Sequence, residues 1–123
     1  MKSYTDLEQS KKLAEILPVE GADMFIADVF LKEEQTHSYN FHFLTTWGHK
    51  NFDELKEREN KFVQFIPCWS LAALLNVLPS STLDSSDNHR YRFRCMERYT
   101  EWYDNAIDAC VAMIERLHEL KML

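Results

Sequence analysis

Glycine is nearly missing from this chain: its 123 residues hold two, Gly21 and Gly48. A phosphate-cradling loop or a dinucleotide fingerprint needs at least two glycines within a few residues, so both are excluded. Cysteine is scarce too. Cys68, Cys95 and Cys110 are odd in number, far apart and without a CxxC pair. That pattern argues against a disulfide framework and for a reducing, cytoplasmic setting. The longest apolar run lies between Pro67 and Pro79, well short of the roughly 20 residues a membrane-spanning helix requires. The opening stretch MKSYTDLEQSKKLAEIL is charged through its middle and lacks the apolar region of a secretory signal. Positive charge is also in deficit. Fourteen basic residues face 20 acidic ones, a net charge of −6, which disfavours a general phosphate-binding surface and with it a non-specific nucleic-acid binder.

What is present is a globular core. A hydrophobic fraction of 46% and an aromatic fraction of 13% are too high for a disordered chain. The length fits one domain, residues 1–123, around one core. The clearest element is PCWSLAALLNVLP, Pro67 to Pro79. Proline is tolerated at a helix start and cannot continue a helix, so the pair brackets a helix over about 69–78, apolar enough to be covered on most sides. Thr5-Asp6-Leu7-Glu8 reads as a capping box with Thr5 as N-cap, opening a helix over 5–17. A third helix over 105–120 starts at the N-cap Asn105 and carries Ile107, Cys110, Val111, Ile114, Leu117 and Leu120 at helical spacing. A short charged helix is expected over 52–60, capped by Asn51.

Strand signals fall at 23–31, 39–47 and 90–96. The first run is rich in β-formers, and the second alternates Tyr39, Phe41, Phe43, Thr45 and Trp47 with Asn40, His42, Leu44 and Thr46, ending at Gly48. These two should pair as an antiparallel hairpin. SSTLDSSDNH reads as a turn-rich link with its tip at Asp87-Asn88, leading into RYRFRC. The whole reads as α+β: a single small domain, its mostly antiparallel sheet packed against about three helices. The expected core is Leu13, Ile16, Leu17, Phe25, Phe41, Phe43, Trp69, Leu71, Leu74, Leu75, Leu78, Phe93, Val111, Ile114 and Leu117.

Candidate sites are few. Cys68 precedes a helix, where the dipole favours a thiolate, and His42, His49 or His89 would have to serve as its base. Against this, free cysteine is among the most buried residue types and Cys68 fits a core position beside Trp69. His37, His42 and His49 have spacings that match no zinc-ligand pattern, and surface histidines account for them. Arg90, Arg92 and Arg94 share one face of the RYRFRC strand, with Tyr91, Phe93 and Cys95 on the other. Three guanidinium groups in a row suit an anionic partner. A solvated face neutralised by Glu97, Glu101 or Asp104 is the simpler account of them. Trp102, with Tyr99 and Tyr103, adds the aromatic character of a contact patch. Nothing in the sequence indicates a metal or a cofactor.

PCWSLAALLNVLP, followed by DNAIDACVAMIERLHEL, resembles a group of small uncharacterised proteins of Bacteroides-type gut bacteria and their phages and mobile elements. The resemblance covers roughly the C-terminal half. In that group proline often stands where this chain has Ala106. It implies a bacterial, cytoplasmic setting and a phage or mobile-element origin, and it carries no activity, cofactor or catalytic residue. A non-enzymatic protein-interaction module is therefore the first expectation. A cysteine-dependent enzyme using Cys68 is the second. A single-strand nucleic-acid binder on the Arg90–Arg94 strand is the third, and it needs Tyr91 and Phe93 exposed for stacking.

Overall fold

The structure is a computed structural model and describes residues 2–44, 52–79, 81–95 and 97–123. It is α+β, with four helices and two three-stranded antiparallel sheets where the sequence suggested one sheet. The chain divides into two compact units, Asp6–Trp69 and a second built from Met1–Thr5 with Ser70–Leu123.

The first unit holds α1 (Leu7–Ile16), β1 (Met24–Leu31), β2 (Thr36–Phe43), α2 (Phe52–Glu57) and β3 (Val63–Cys68). Asp6, not Thr5, is the N-cap of α1. Its carboxylate accepts from the Gln9 amide at 2.8 Å, and Gln9 Oε1 accepts from the Asp6 amide at 3.1 Å. The sequence offers two overlapping capping boxes, and Thr5 is fully buried, so the exposed Asp6 takes the cap. β1 and β2 form the expected hairpin, and β3 pairs on the other side of β1, giving the order β2-β1-β3. β3 has no counterpart among the strand signals read at 23–31, 39–47 and 90–96. Its role as a strand was hidden by Pro67, which a central strand would not tolerate but an outer one does.

β1 is buried on both faces, Met24 through Asp28 without a break. One face packs Phe25 and Ala27 with Phe52 and Leu55 of α2, backed by Val19, Leu44 and Phe65. β2 is exposed along almost its whole length. Phe41 and Phe43, expected in the core, are 36% and 64% exposed. Alternation correctly put them on one face, but on an outer strand that face need not be covered. The expected continuation of this strand through Thr45 and Trp47, its end at Gly48, the cap Asn51 and His49 lie outside the described residues.

The second unit holds α3 (Leu71–Val77), β4 (Ser81–Ser85), β5 (Tyr91–Cys95), β6 (Arg98–Tyr99) and α4 (Ala106–Glu119). Ser70 caps α3, its hydroxyl accepting from the Ala73 amide at 3.2 Å. Ala73, Leu74 and Leu78 are buried, while Leu75 is 39% exposed. The proline-bracketed segment is thus covered on one side rather than on most sides. Asn105 caps α4 as expected and accepts from the Asp108 amide at 2.8 Å, so Ala106 serves as first helical residue without proline's help. Ile107, Cys110, Val111, Ile114 and Leu117 are buried; Leu120 is exposed because it is the C-cap.

Residues other than glycine occupy the left-handed positions of the described turns: Gln35, His89, Glu97 and Lys121 have φ between 53° and 64°. At the end of α4, Lys121 takes the place usual for glycine in a Schellman close. Met122 donates to Leu117 at 2.8 Å and Lys121 to His118 at 3.0 Å. The segment read as a turn-rich link contains β4, which forms a hairpin with β5 through residues 87–89.

Candidate functional site

The expected arginine row is real in geometry and largely neutralised in charge. Phe93 and Cys95 point inward from β5 and are buried, so Arg90, Arg92 and Arg94 share the outer face. Asp84, directly opposite Arg92 across the hairpin, lies 3.2 Å from its Nε. The Arg92 guanidinium also sits over two rings, 4.6 Å from the Tyr99 centroid and 4.7 Å from that of Trp102. Arg90 donates from Nη2 to the Trp102 carbonyl at 2.9 Å, with Asp104 at 3.6 Å from its Nε. Of the three acids named from sequence, Asp104 meets the row; Asp84 was missed because β4 was read as a loop. Arg94 is exposed, facing Thr82 on one side and Tyr99 on the other, with no hydrogen-bond or ion-pair partner among the described residues. Trp102 is thereby a clamp on the first two arginines. Of the three guanidinium groups, only that of Arg94 lies outside this arrangement.

Cys68 is fully buried at the end of β3, two residues ahead of the α3 cap. A nucleophile needs an approach for its substrate, and this thiol has none. The other two thiols are protonated by their surroundings. Burial pushes Cys110 up to about 12, and it raises Cys95 as well, against the pull of the Arg98 guanidinium.

His37 and His42 do not converge. Cross-strand partners share a face, so His37 lies on the side of Phe30 and Asp28, whereas His42 stacks on Phe25 at 5.1 Å on the opposite side. Among the described residues no three His, Cys, Asp or Glu side chains gather to hold a metal ion. A cleft lined in part by Val19, Leu44 and Phe52 has a volume of about 280 Å³, at the lower limit of the roughly 300–1,000 Å³ usual for small-molecule sites. Glu20, Asp23 and Asp53 are the acids at its wall. As for the stacking platform, Phe93 is fully buried and Tyr91 half-buried, so bases would find neither ring open on that strand.

The surface that sequence reasoning missed is β2. Tyr39, Phe41 and Phe43 are 41%, 36% and 64% exposed and stand on one face with His37. His37 is fixed there by Asp28, its Nδ1 2.8 Å from the carboxylate, and it stacks on Tyr39 at 5.9 Å. None of the eight residues of β2 is Asp, Glu, Lys or Arg. The alternation that exposes these rings was legible; it was taken as the sign of a covered face. Comparison with known proteins adds no assignment: no family model, no curated protein and no solved structure matches this chain.

Proposed function

We propose that this chain is a non-enzymatic protein-interaction module that docks through the aromatic face and outer edge of β2. The exposure of Tyr39, Phe41 and Phe43 side by side on an uncharged outer strand carries this reading. Contiguous exposed apolar surface marks contact sites, and exposed strand edges recruit further strands. The buried Cys68 weighs against a cysteine enzyme, and the clamped Arg90 and Arg92 shift the docking surface away from β5. Three buried cysteines outside any disulfide fit a reducing bacterial cytoplasm. A phage or mobile-element origin rests on the resemblance of the two C-terminal segments.

The test compares the parent chain with a variant carrying Tyr39→Ser, Phe41→Ser and Phe43→Ser as baits in a Bacteroides-type lysate. A protein captured by the parent, absent from the variant and rebinding the parent after purification is the expected result. An identical set of captured proteins on both baits, with the variant folded by circular dichroism, moves the docking surface off β2. Labelling of native Cys68 by a thiol probe at neutral pH as fast as that of a free thiol would return the enzyme reading to the front.

A further inference from the structure

The two outer edges of the β2-β1-β3 sheet are treated differently. On β3, the even-numbered residues bond to β1, as the Phe30 amide to Phe62 carbonyl bond at 2.7 Å shows for the register, so residues 63, 65 and 67 turn their backbones outward. None of the three outward positions has an amide to spare. The Val63 amide donates to Asn60, to its side chain at 3.1 Å and its carbonyl at 3.3 Å. The Phe65 amide donates to Glu59 Oε1 at 2.9 Å. Pro67 has no amide hydrogen to offer. No further strand can add there without breaking these bonds.

Among the described residues β2 lacks several of the usual defences of an outer strand. It is eight residues long and carries no Asp, Glu, Lys or Arg, no proline and no bulge in its register with β1. This is notable in a chain with 34 formally charged residues, 14 basic and 20 acidic. Its residue types, though not its identities, form a palindrome about Asn40, ring matching ring and polar matching polar. An antiparallel two-fold centred there sets Tyr39 opposite Phe41 of a second copy and His37 opposite Phe43, ring against ring. On the other face Ser38 meets His42, polar against polar.

We infer that the partner of β2 is the β2 of a second copy of this chain, the two sheets joining across a two-fold axis at Asn40 into one continuous sheet of six strands. This rests on the reading of β2 as the docking strand and names its occupant. Cross-strand aromatic pairs stabilise such a seam, and nothing on either strand repels the other. Because the β3 edge is closed, the assembly stops at two copies instead of growing into a fibre. A foreign strand would have no reason to match the palindrome.

The inference is tested on the full chain by cysteine cross-linking and sedimentation. Asn40 bonds to β1, so it faces its own copy as a non-hydrogen-bonded pair, Cα atoms about 4.5 Å apart. That lies within disulfide reach. Asn40→Cys should therefore link nearly quantitatively under mild oxidation, two thiols giving up two protons and two electrons to the added oxidant. Ser38→Cys should not, since its copies are about 13 Å apart in this register, whereas a mixture of Ser38→Cys and His42→Cys chains should. Asn40→Lys sets two ammonium groups face to face and should raise the dimer dissociation constant by about tenfold or more with an unchanged circular dichroism spectrum. Equal cross-linking at positions 38 and 40, or a dimer indifferent to Asn40→Lys, overturns the inference. So does a parent chain that sediments as a monomer up to on the order of 100 μM, beyond the range of a specific dimer. If that monomer still loses its captured protein when the three β2 rings are replaced, the interaction reading stands and self-pairing alone falls. If it loses nothing, both fall.

Discussion

The two sheets of this protein solve the same problem in opposite ways. In β4-β5-β6 the outer face carries three arginines, two of them held by Asp84, Asp104 and the rings of Tyr99 and Trp102. Its outer strand β4 is five residues long and bears a charge. In β2-β1-β3 the outer strand is eight residues long, aromatic and uncharged. Two of the three members of a conspicuous charge row turn out to be internally satisfied, while an ordinary alternating strand is left with exposed rings. Conspicuous composition is therefore a poor guide to where a protein has unspent contacts. How much of each ring and polar group stays exposed decides the matter.

Core substitutions separate covered from uncovered faces most strongly. Ile26→Ala in the central strand and Ile114→Ala in α4 each empty a fully buried position and should cost about 2–5 kcal/mol in urea denaturation. Phe43→Ala and Leu75→Ala, on 64% and 39% exposed side chains, should cost well under about 1–2 kcal/mol. A Phe43→Ala loss as large as that of Ile26→Ala would mean that the β2 face is part of the core.

Alkali probes the second unit. Cys110 is raised from the ordinary 9.0 to about 12 by burial, so below pH 9 folded and unfolded chains both hold this proton. Between pH 9 and about 12 only the unfolded chain releases it, and stability should fall by about 1.4 kcal/mol per pH unit from this group. Cys110→Ala lowers stability at every pH through the lost contacts but should flatten that part of the slope. Parallel pH profiles for parent and variant would show that the thiol is not shielded.

The arginine clamp makes a smaller difference. Arg92→Gln removes a half-exposed ion pair and two ring contacts and should cost about 1–2 kcal/mol, part of it screened by salt. Arg94→Gln should cost nearly nothing. Equal losses would dissolve the distinction between clamped and unclamped members of the row. Smallest of all, Gln35→Gly at φ 53° in the β1–β2 turn should stabilise the chain by up to about 1 kcal/mol in thermal unfolding, since glycine meets no Cβ clash there.

The helices were legible because caps and periodicity are local. Asn105 and the stripe from Ile107 to Leu117 specify α4 almost unaided. α1 slipped by one residue because burial of Thr5, a tertiary matter, chose between two equivalent caps. β5 and the β1–β2 hairpin were legible from alternation. β4 was not, because Ser, Thr and Asp are turn formers until a neighbour with the right register recruits them, as β5 does through Asp84 and Arg92. β3 was masked by a proline whose missing amide is harmless, even useful, on an outer edge. The docking strand itself was seen as a strand and misjudged as core. A period of two distinguishes two faces but carries no information about what lies over either.

Amide hydrogen exchange across a dilution series tests the contrast between the two edges most directly. The amides of His37, Tyr39 and Phe43 should exchange rapidly in dilute solution and become protected as concentration rises, while those of Val63 and Phe65 stay protected throughout. Slow exchange of the three β2 amides at every dilution, or exchange of Val63 and Phe65 as fast as theirs, would contradict an open β2 edge beside a closed β3 edge.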